Sequence, residues 1–346
     1  MSRDGRQPTI LDVARAAGVS KSTVSNVIRG AGKTSPGTRE RVLEAIAAVG
    51  YRPNAIARSL VRQRTTTVGI VVGDLANPFY SELAKLVEQL LSAAGYATMM
   101  CNTDGHAASE RSRIESLLEH RAAGIVMLQF SGEWSVADEL RVQGVPLVVV
   151  SCWEEGADCV AVDDIAGVRL GVDHLLELGH RRIAYLSSGL VEPKTDRARF
   201  NGYTNALRAA GIKPEKELVL RWEEPAYLAS DREIAGELEI RLSGPNPPTA
   251  FAVSNDLVAI DLIETLEQMG LRVPGEVSVV GFDDIALAGL ARVALTTIAQ
   301  PRDELAELGT SILLERIERG AVSVPRQVRL TPELIVRAST ARAAAD

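Results

Sequence analysis

From Thr67 onward the chain alternates uninterrupted apolar runs with stretches of helical pattern, and this alternation restricts its fold more than any other feature. The series begins with TVGIVVGD, a helix near 79–94, YATMMCNT, a helix near 107–120 and GIVMLQF. It resumes with RRIAYLS, a helix near 197–210, a strand near 218–222, TAFAVS, a helix near 256–269 and VSVVGFD. A strand that is apolar at every position must be covered on both faces, which is the condition of a parallel sheet flanked by helices. The series runs twice, so two similar α/β halves are expected. A last helix near 301–319 and a tail, RQVRLTPELIVRAST, that crosses back would join them into two lobes able to close on a ligand.

Open α/β sheets bind ligands outside the carboxyl ends of their strands, which nominates the residues found there. They are Asp74 with Asn77, Phe79 and Tyr80; Asn102; Gln129; Trp153; Asp163 or Asp164; Trp222; Asn255 with Asp256; and Asp283. Aromatic rings beside carboxylates and amides suit a polyhydroxylated ring, whose C–H surface lies on the aromatic face while Asp and Asn take its hydroxyls.

The first sixty-odd residues have a different character. The whole chain carries a net charge of −7, yet residues 1–65 hold twelve Lys/Arg against four Asp/Glu, a local +8 that leaves −15 on the remainder. A basic head on an acidic body suits contact with phosphate through the head alone. Thr9 followed by Asp12 reads as a capping box, with Ile10, Val13, Ala14 and Ala17 at helical spacing behind it. Gly18 supplies a turn and Ser20 a cap for a second helix, in which Val24, Val27 and Ile28 form one stripe and Lys21, Ser22, Ser25 and Asn26 the opposite face. Ser35-Pro36 opens a third helix that closes at Gly50, its stripe being Val42, Ala45, Ile46 and Val49. This is a helix-turn-helix with a short polar face fit for the major groove. A further short stretch, 54–60, is too short to hold as a helix alone and needs a partner chain or DNA.

The order of these pieces resembles the lactose/galactose repressor family. The likeness lies in TILDVARAAGVSKSTVSNVI, TRERVLEAIAAVGYRPNAIARSL and TVGIVVGDLANPFY, and continues through VDDIAGVRLGVDHLLELGHRRIAYLS, RARFNGYTNAL, AVSNDLVAI, VSVVGFDDI and LTTIAQP. The resemblance implies a periplasmic-binding-protein-like body of two parallel-sheet lobes behind an all-α head. Residues 1–53 would be the head, 54–66 a hinge helix and linker, and 67–346 the effector-binding and dimerisation body. The first lobe would take about 67–163 and 299–324, the second about 164–298 and 325–346. Lys21, Ser22 and Asn26 would face bases, with Thr23 and Ser25 on phosphates. Lys21 can donate to guanine, and Asn26, where many members carry arginine, suits adenine. The hinge would pair with its mate in the minor groove through Ala57, Arg58 and the wedge Leu60. An effector role would fall on Phe79, Tyr80, Asp163, Arg199, Trp222, Asn255 and Asp283.

The expectation is therefore a ligand-responsive, sequence-specific repressor, binding a palindromic double-stranded operator as a homodimer and controlled by a sugar or sugar derivative. The alternative is a regulator that answers to a nucleobase or nucleoside, or to no ligand. No enzyme is expected: there is no G-x-G-x-x-G after a first strand, no phosphate-loop motif and no G-x-S-x-G elbow. Neither the three cysteines nor the four histidines fall at metal-ligand spacing, so no metal, cofactor or catalytic residue is expected. With no apolar stretch of membrane-spanning length and no signal-peptide core, the chain is expected in the cytoplasm, away from the membrane. A tail without a leucine heptad argues for a dimer rather than a coiled-coil tetramer.

Overall fold

The computed structural model describes residues 8–29, 34–51, 65–129, 140, 142–188, 193–222, 232–320 and 324–344. The chain divides into two compact units at Thr65/Thr66.

The first unit contains α1 (Ile10–Ala17), α2 (Lys21–Arg29) and α3 (Pro36–Val49). Their ends follow the local chemistry. Thr9 N donates to Asp12 Oδ2 at 2.9 Å within the expected capping box. Gly18, at φ 63°, ends α1, and Thr23 N donates to Ser20 Oγ at 3.1 Å to start α2. Ser35 caps α3 ahead of Pro36, and Gly50 closes it. Val13, Ala14, Ala17, Val24, Val27, Val42 and Ala45 form the core, with Val19, Ile28, Ile46 and Tyr51 packed around them. Tyr51, rather than the anticipated Val49, completes it. The expected hinge, with Ala57, Arg58 and Leu60, lies outside the described residues.

The second unit holds two six-stranded sheets. The first comprises β1 (Thr67–Val72), β2 (Ala97–Asn102), β3 (Gly124–Leu128), β4 (Leu147–Val150), β5 (Asp158–Val162) and β11 (Gln327–Leu330), in the order β11-β5-β4-β3-β1-β2. All its pairings are parallel. Alternate residues feed separate cores: Val126 and Leu128 of β3 pack with α4 (Pro78–Ala93) and α10 (Arg302–Arg319), whereas Ile125 and Met127 pack with α5 (Ala107–Glu119). This two-sided burial explains the uninterrupted apolar runs.

The second sheet repeats the plan with β6 (Ile183–Ser188), β7 (Val219–Trp222), β8 (Ala250–Val253), β9 (Ser278–Asp283), β10 (Thr296–Ala299) and β12 (Glu333–Ile335), ordered β12-β10-β9-β8-β6-β7. Only β12 runs antiparallel to its neighbour. One face carries α6 (Asp164–Glu177) and α7 (Pro193–Ala209); the other carries α8 (Arg232–Leu242) and α9 (Asp256–Gln268).

The chain passes between the sheets three times: after Val162, after Ala299, and between Leu330 and Glu333. The last crossing corrects the expected boundary at 325. Gln327–Leu330 stays with the first sheet, adding a parallel edge to β5, and only β12 returns to the second lobe. Among the described residues, no helix is long and apolar enough to cross a membrane.

Candidate functional site

In each sheet the chain goes from a central strand out to one edge and then returns to the other side, so the order reverses between β1 and β3 and between β6 and β8. The carboxyl ends of the strands open a crevice at such a reversal. Those ends carry a buried polar cluster centred on Arg199.

Arg199 sits in the second turn of α7 with only 4% of its surface exposed. Its Nε donates to Asp164 Oδ1 at 2.8 Å, its Nη1 donates to the Ser254 carbonyl beyond β8, and its Nη2 lies 4.0 Å from Asp283 Oδ1. The guanidinium carbon stands 3.8 Å from the centroid of the Phe282 ring. Burial opposes the charge on Arg199, but Asp164 and Asp283 outweigh it and hold the guanidinium above its ordinary pKa. Asp164 is raised by its burial against the pull of Arg199. Burial pushes Asp283 up to about 8, with Arg199 drawing it down and Asp256 adding to the rise. The Tyr80 phenol, from the first lobe, is raised by burial and feels both Arg199 and Asp283.

The corner after β9 presents this cluster. Asp283 and Asp284 adopt φ 124° and 54°, conformations that each cost an L-residue about 1–3 kcal/mol. The surroundings hold them there. Gln300 Nε2 donates to Asp283 Oδ1 at 2.8 Å, Arg337 Nη2 donates to Asp284 Oδ1 at 2.6 Å, and Ile285 N donates to Asp256 Oδ2 at 2.9 Å. Asp256 is fully buried, also accepts from Thr297 Oγ1, and is pushed up to about 6 by that burial. Gly281 makes room for it, since a Cβ there would come within 2.3 Å of Asp256 Oδ1. Around the strand ends Ser151 Oγ, Gln300 Oε1 and Trp222 Nε1 are buried without a hydrogen-bond partner among the described residues. Buried polar atoms in that state are what a polar ligand satisfies.

Of the residues singled out in the sequence, Tyr80, Arg199 and Asp283 come together. Asp163 does not join them: its carboxylate caps α6, accepting from Ala166 N at 3.0 Å, and the next residue, Asp164, meets Arg199. Asn255 caps α9 by accepting from Val258 N at 2.9 Å, while the preceding carbonyl serves Arg199. Phe79 is buried in the apolar core, with its ring edge-on to that of Tyr80. Trp222 is likewise buried, at the end of β7. Gln300, Arg302 and Arg337 were not anticipated. The one signal for Gln300 was its place straight after the strand LTTIA.

On the head, Lys21 and Ser22 are exposed at the start of α2, and Thr23, Ser25 and Asn26 are half-buried. Ser22 Oγ lies 2.7 Å from the capping Ser20 Oγ. No group of three or more metal-ligating side chains occurs among the described residues.

Comparison with known proteins agrees with both parts. Residues 9–54 match the family model for bacterial regulatory proteins of the lacI family, and residues 172–340 match that for a periplasmic binding protein-like domain. The HTH-type transcriptional repressor PurR of Photobacterium profundum is 35% identical over 337 residues, spanning 96% of this chain and 98% of that protein. The ribose operon repressor of Escherichia coli K12 is 33% identical over 343 residues, with 96% and 99% covered. A crystal structure of the lac repressor dimer bound to operator and the anti-inducer ONPF aligns with a TM-score of 0.84 at 26% identity, over 97% of this chain and all of that one.

Proposed function

The chain belongs to the lacI family of bacterial regulatory proteins, and from that membership we propose that it is a repressor whose grip on a palindromic operator is set by a small molecule held between the lobes of its body. Two heads would be presented by a homodimer, because one small head buries too little surface for tight selective binding. Lys21, Ser22 and Asn26 read bases, Thr23 and Ser25 hold phosphates, and Ala57, Arg58 and Leu60 enter the minor groove. Specific affinity falls steeply with salt as phosphate contacts release counterions.

The observation that carries the effector reading is the Arg199 cluster: a buried cation between Asp164 and Asp283, at strand ends that hold buried polar atoms without a partner among the described residues. Carboxylates, an amide and a phenol around one guanidinium match the alternating donors and acceptors of a sugar, and one relative is the repressor of a ribose operon. Effector binding shifts the lobes and alters operator affinity. A coupling of about 1–3 kcal/mol corresponds to roughly 5–150-fold.

A thermal-shift screen of sugars and nucleosides on the full chain tests this, since a ligand that binds the folded state raises the melting temperature. A stabilising sugar that also changes operator affinity in fluorescence anisotropy supports the reading. Stabilisation by nucleosides alone, or by nothing, counts against it.

A further inference from the structure

We infer that Arg337, supplied by the tail of the chain, is a positioning residue for the effector: acting through Asp284, it fixes the geometry in which Asp283 faces the cleft. The inference rests on the reading of this cleft as the effector site.

Strand β9 ends in two successive left-handed residues, Asp283 at φ 124° and Asp284 at φ 54°. L-residues keep such backbone only where their surroundings over-determine it. Gln300 holds the Asp283 carboxylate, Arg302 donates to the Asp284 carbonyl at 3.0 Å, and Ile285 N donates to the buried Asp256. These partners belong to segments that already border the strand ends. Arg337 does not: it lies 53 positions beyond Asp284, past β12, and its Nη2 donates to Asp284 Oδ1 at 2.6 Å.

An exposed ion pair contributes little, because ordering two side chains offsets the attraction. Here the side chains are 23% and 24% exposed, and the cation is anchored before it reaches Asp284. Arg337 N donates to Thr296 Oγ1 at 3.0 Å, and Nη1 donates to the Leu295 carbonyl at 2.8 Å. Ala338 N donates to the Ala294 carbonyl at 2.8 Å. Ser339 Oγ bridges β10 to β9, accepting from Thr296 N and donating to the Val279 carbonyl. The guanidinium is therefore referenced to both strands, and it pins Asp284 against them. One peptide bond away, the Asp283 carboxylate lies 4.0 Å from Arg199 Nη2. Without Arg337 the left-handed corner relaxes and Asp283 turns away from Gln300 and Arg199.

A first measurement needs no ligand. Asp283 faces Arg199, Asp164, Asp256 and Tyr80, and burial pushes it up to about 8. Folded-state stability therefore falls as pH rises from about 7 to 8, above the ranges in which Asp256 and the histidines titrate. Melting temperatures of the full chain across that window are expected to lose the decline in Arg337→Ala, because an Asp283 turned to water titrates in the ordinary range. A tail that only braces the fold would lower the melting temperature equally at each pH. An intact slope in the variant overturns the inference.

A second measurement titrates ribose, glucose and adenosine calorimetrically near neutral pH. Each probe that binds the unaltered protein is expected to bind Arg337→Ala at least about tenfold more weakly, the scale of losing a hydrogen bond between charged groups. Arg337→Lys should recover part of the loss, since it keeps a charge for Asp284 without a second arm for the Leu295 carbonyl. Asp284→Asn tolerates the left-handed backbone but loses the charge, so it should weaken binding and flatten the slope as well. It also carries both measurements if Arg337→Ala does not fold. In the Asp284→Asn background, Arg337→Ala should cost no more than about twofold further, because the two residues act as one. Unchanged affinity in Arg337→Ala, or fully additive losses in the double variant, overturns the inference. Binding of no probe by the unaltered protein removes the effector reading and leaves the melting slope to decide the role of Arg337.

Discussion

Arg302 donates to the carboxylate of Glu82, tying the first turn of α10 to the second turn of α4. Its other terminal nitrogen donates at 3.0 Å to the carbonyl of Asp284, which follows the strained Asp283 in the second lobe. One side chain thus touches the corner that presents Asp283 and the helix that carries Tyr80.

Removing that tie is expected to weaken communication more than binding. In Arg302→Ala the effector dissociation constant should change by no more than a few-fold, while the effector-induced change in operator affinity should fall by about 1 kcal/mol or more. Anisotropy titrations of operator with and without effector measure both. Full coupling in the variant would show that the lobes communicate by another route.

Arg199→Ala is expected to destabilise the body by about 3–5 kcal/mol, since it strands Asp164 without its cation in a site where that carboxylate is nearly inaccessible. Arg199→Lys should recover only part of this, because one ammonium cannot serve Asp164, Asp283 and the Ser254 carbonyl in their fixed directions. Urea unfolding of the three proteins ranks them. Near-equal stability would mean that the cluster relaxes around the loss.

The pH dependence has a defined sign. Asp283 is held at about 8 in the folded protein against about 4 for an unfolded aspartate. Between these values the folded state binds more protons than the unfolded state, so this residue makes stability decline as pH rises from about 4 to about 8. Asp256, at about 6, acts in the same direction over the lower half of that window. Asp283→Asn should flatten the decline, as seen in melting temperature across buffers. An unaltered slope would place the titration elsewhere.

These relationships were unequally visible in the sequence. The central strands announced themselves because two-sided burial leaves no polar position, and the head announced itself because Ser20, Ser35-Pro36 and Gly50 act on neighbours within a few residues. Asp163 and Asp164 could not be told apart. Consecutive residues at a helix start point about 100° apart, and which one turns inward depends on how α6 is rotated against α7. The partners of Arg302 and Gln300 lie far off in sequence, Glu82 being 220 positions from Arg302. No local pattern records such a pairing. Asn255 and Asp163 stand at strand ends, a place that also makes them helix caps.

Leu60 belongs to the expected hinge, outside the described residues. If it wedges into the minor groove, Leu60→Ala should weaken operator binding by roughly tenfold or more, on the scale of a few kcal/mol for unstacking a base step, and leave effector affinity untouched. Operator titration with a parallel effector titration separates the two. Equal operator affinity would remove the hinge assignment.

The last prediction concerns which bases the head prefers. Lys21 is exposed at the start of α2, whereas Asn26, five residues on, is half-buried. A lysine there can serve either guanine or a phosphate, and only the pattern of loss distinguishes them. If it reads a base, Lys21→Ala should relax preference at one operator position per half-site, at a cost of about 1–3 kcal/mol for the preferred sequence only. If it holds a phosphate, the loss will be uniform across sequences and the salt slope will shrink by about one charge. Asn26 has an amide that pairs with adenine through a donor and an acceptor at once, so Asn26→Arg should move that position from adenine toward guanine. Selection of binding sites from a randomised half-site library, at one fixed salt concentration, reads both variants together. No change of base at any position in Asn26→Arg would mean that this residue does not meet the groove.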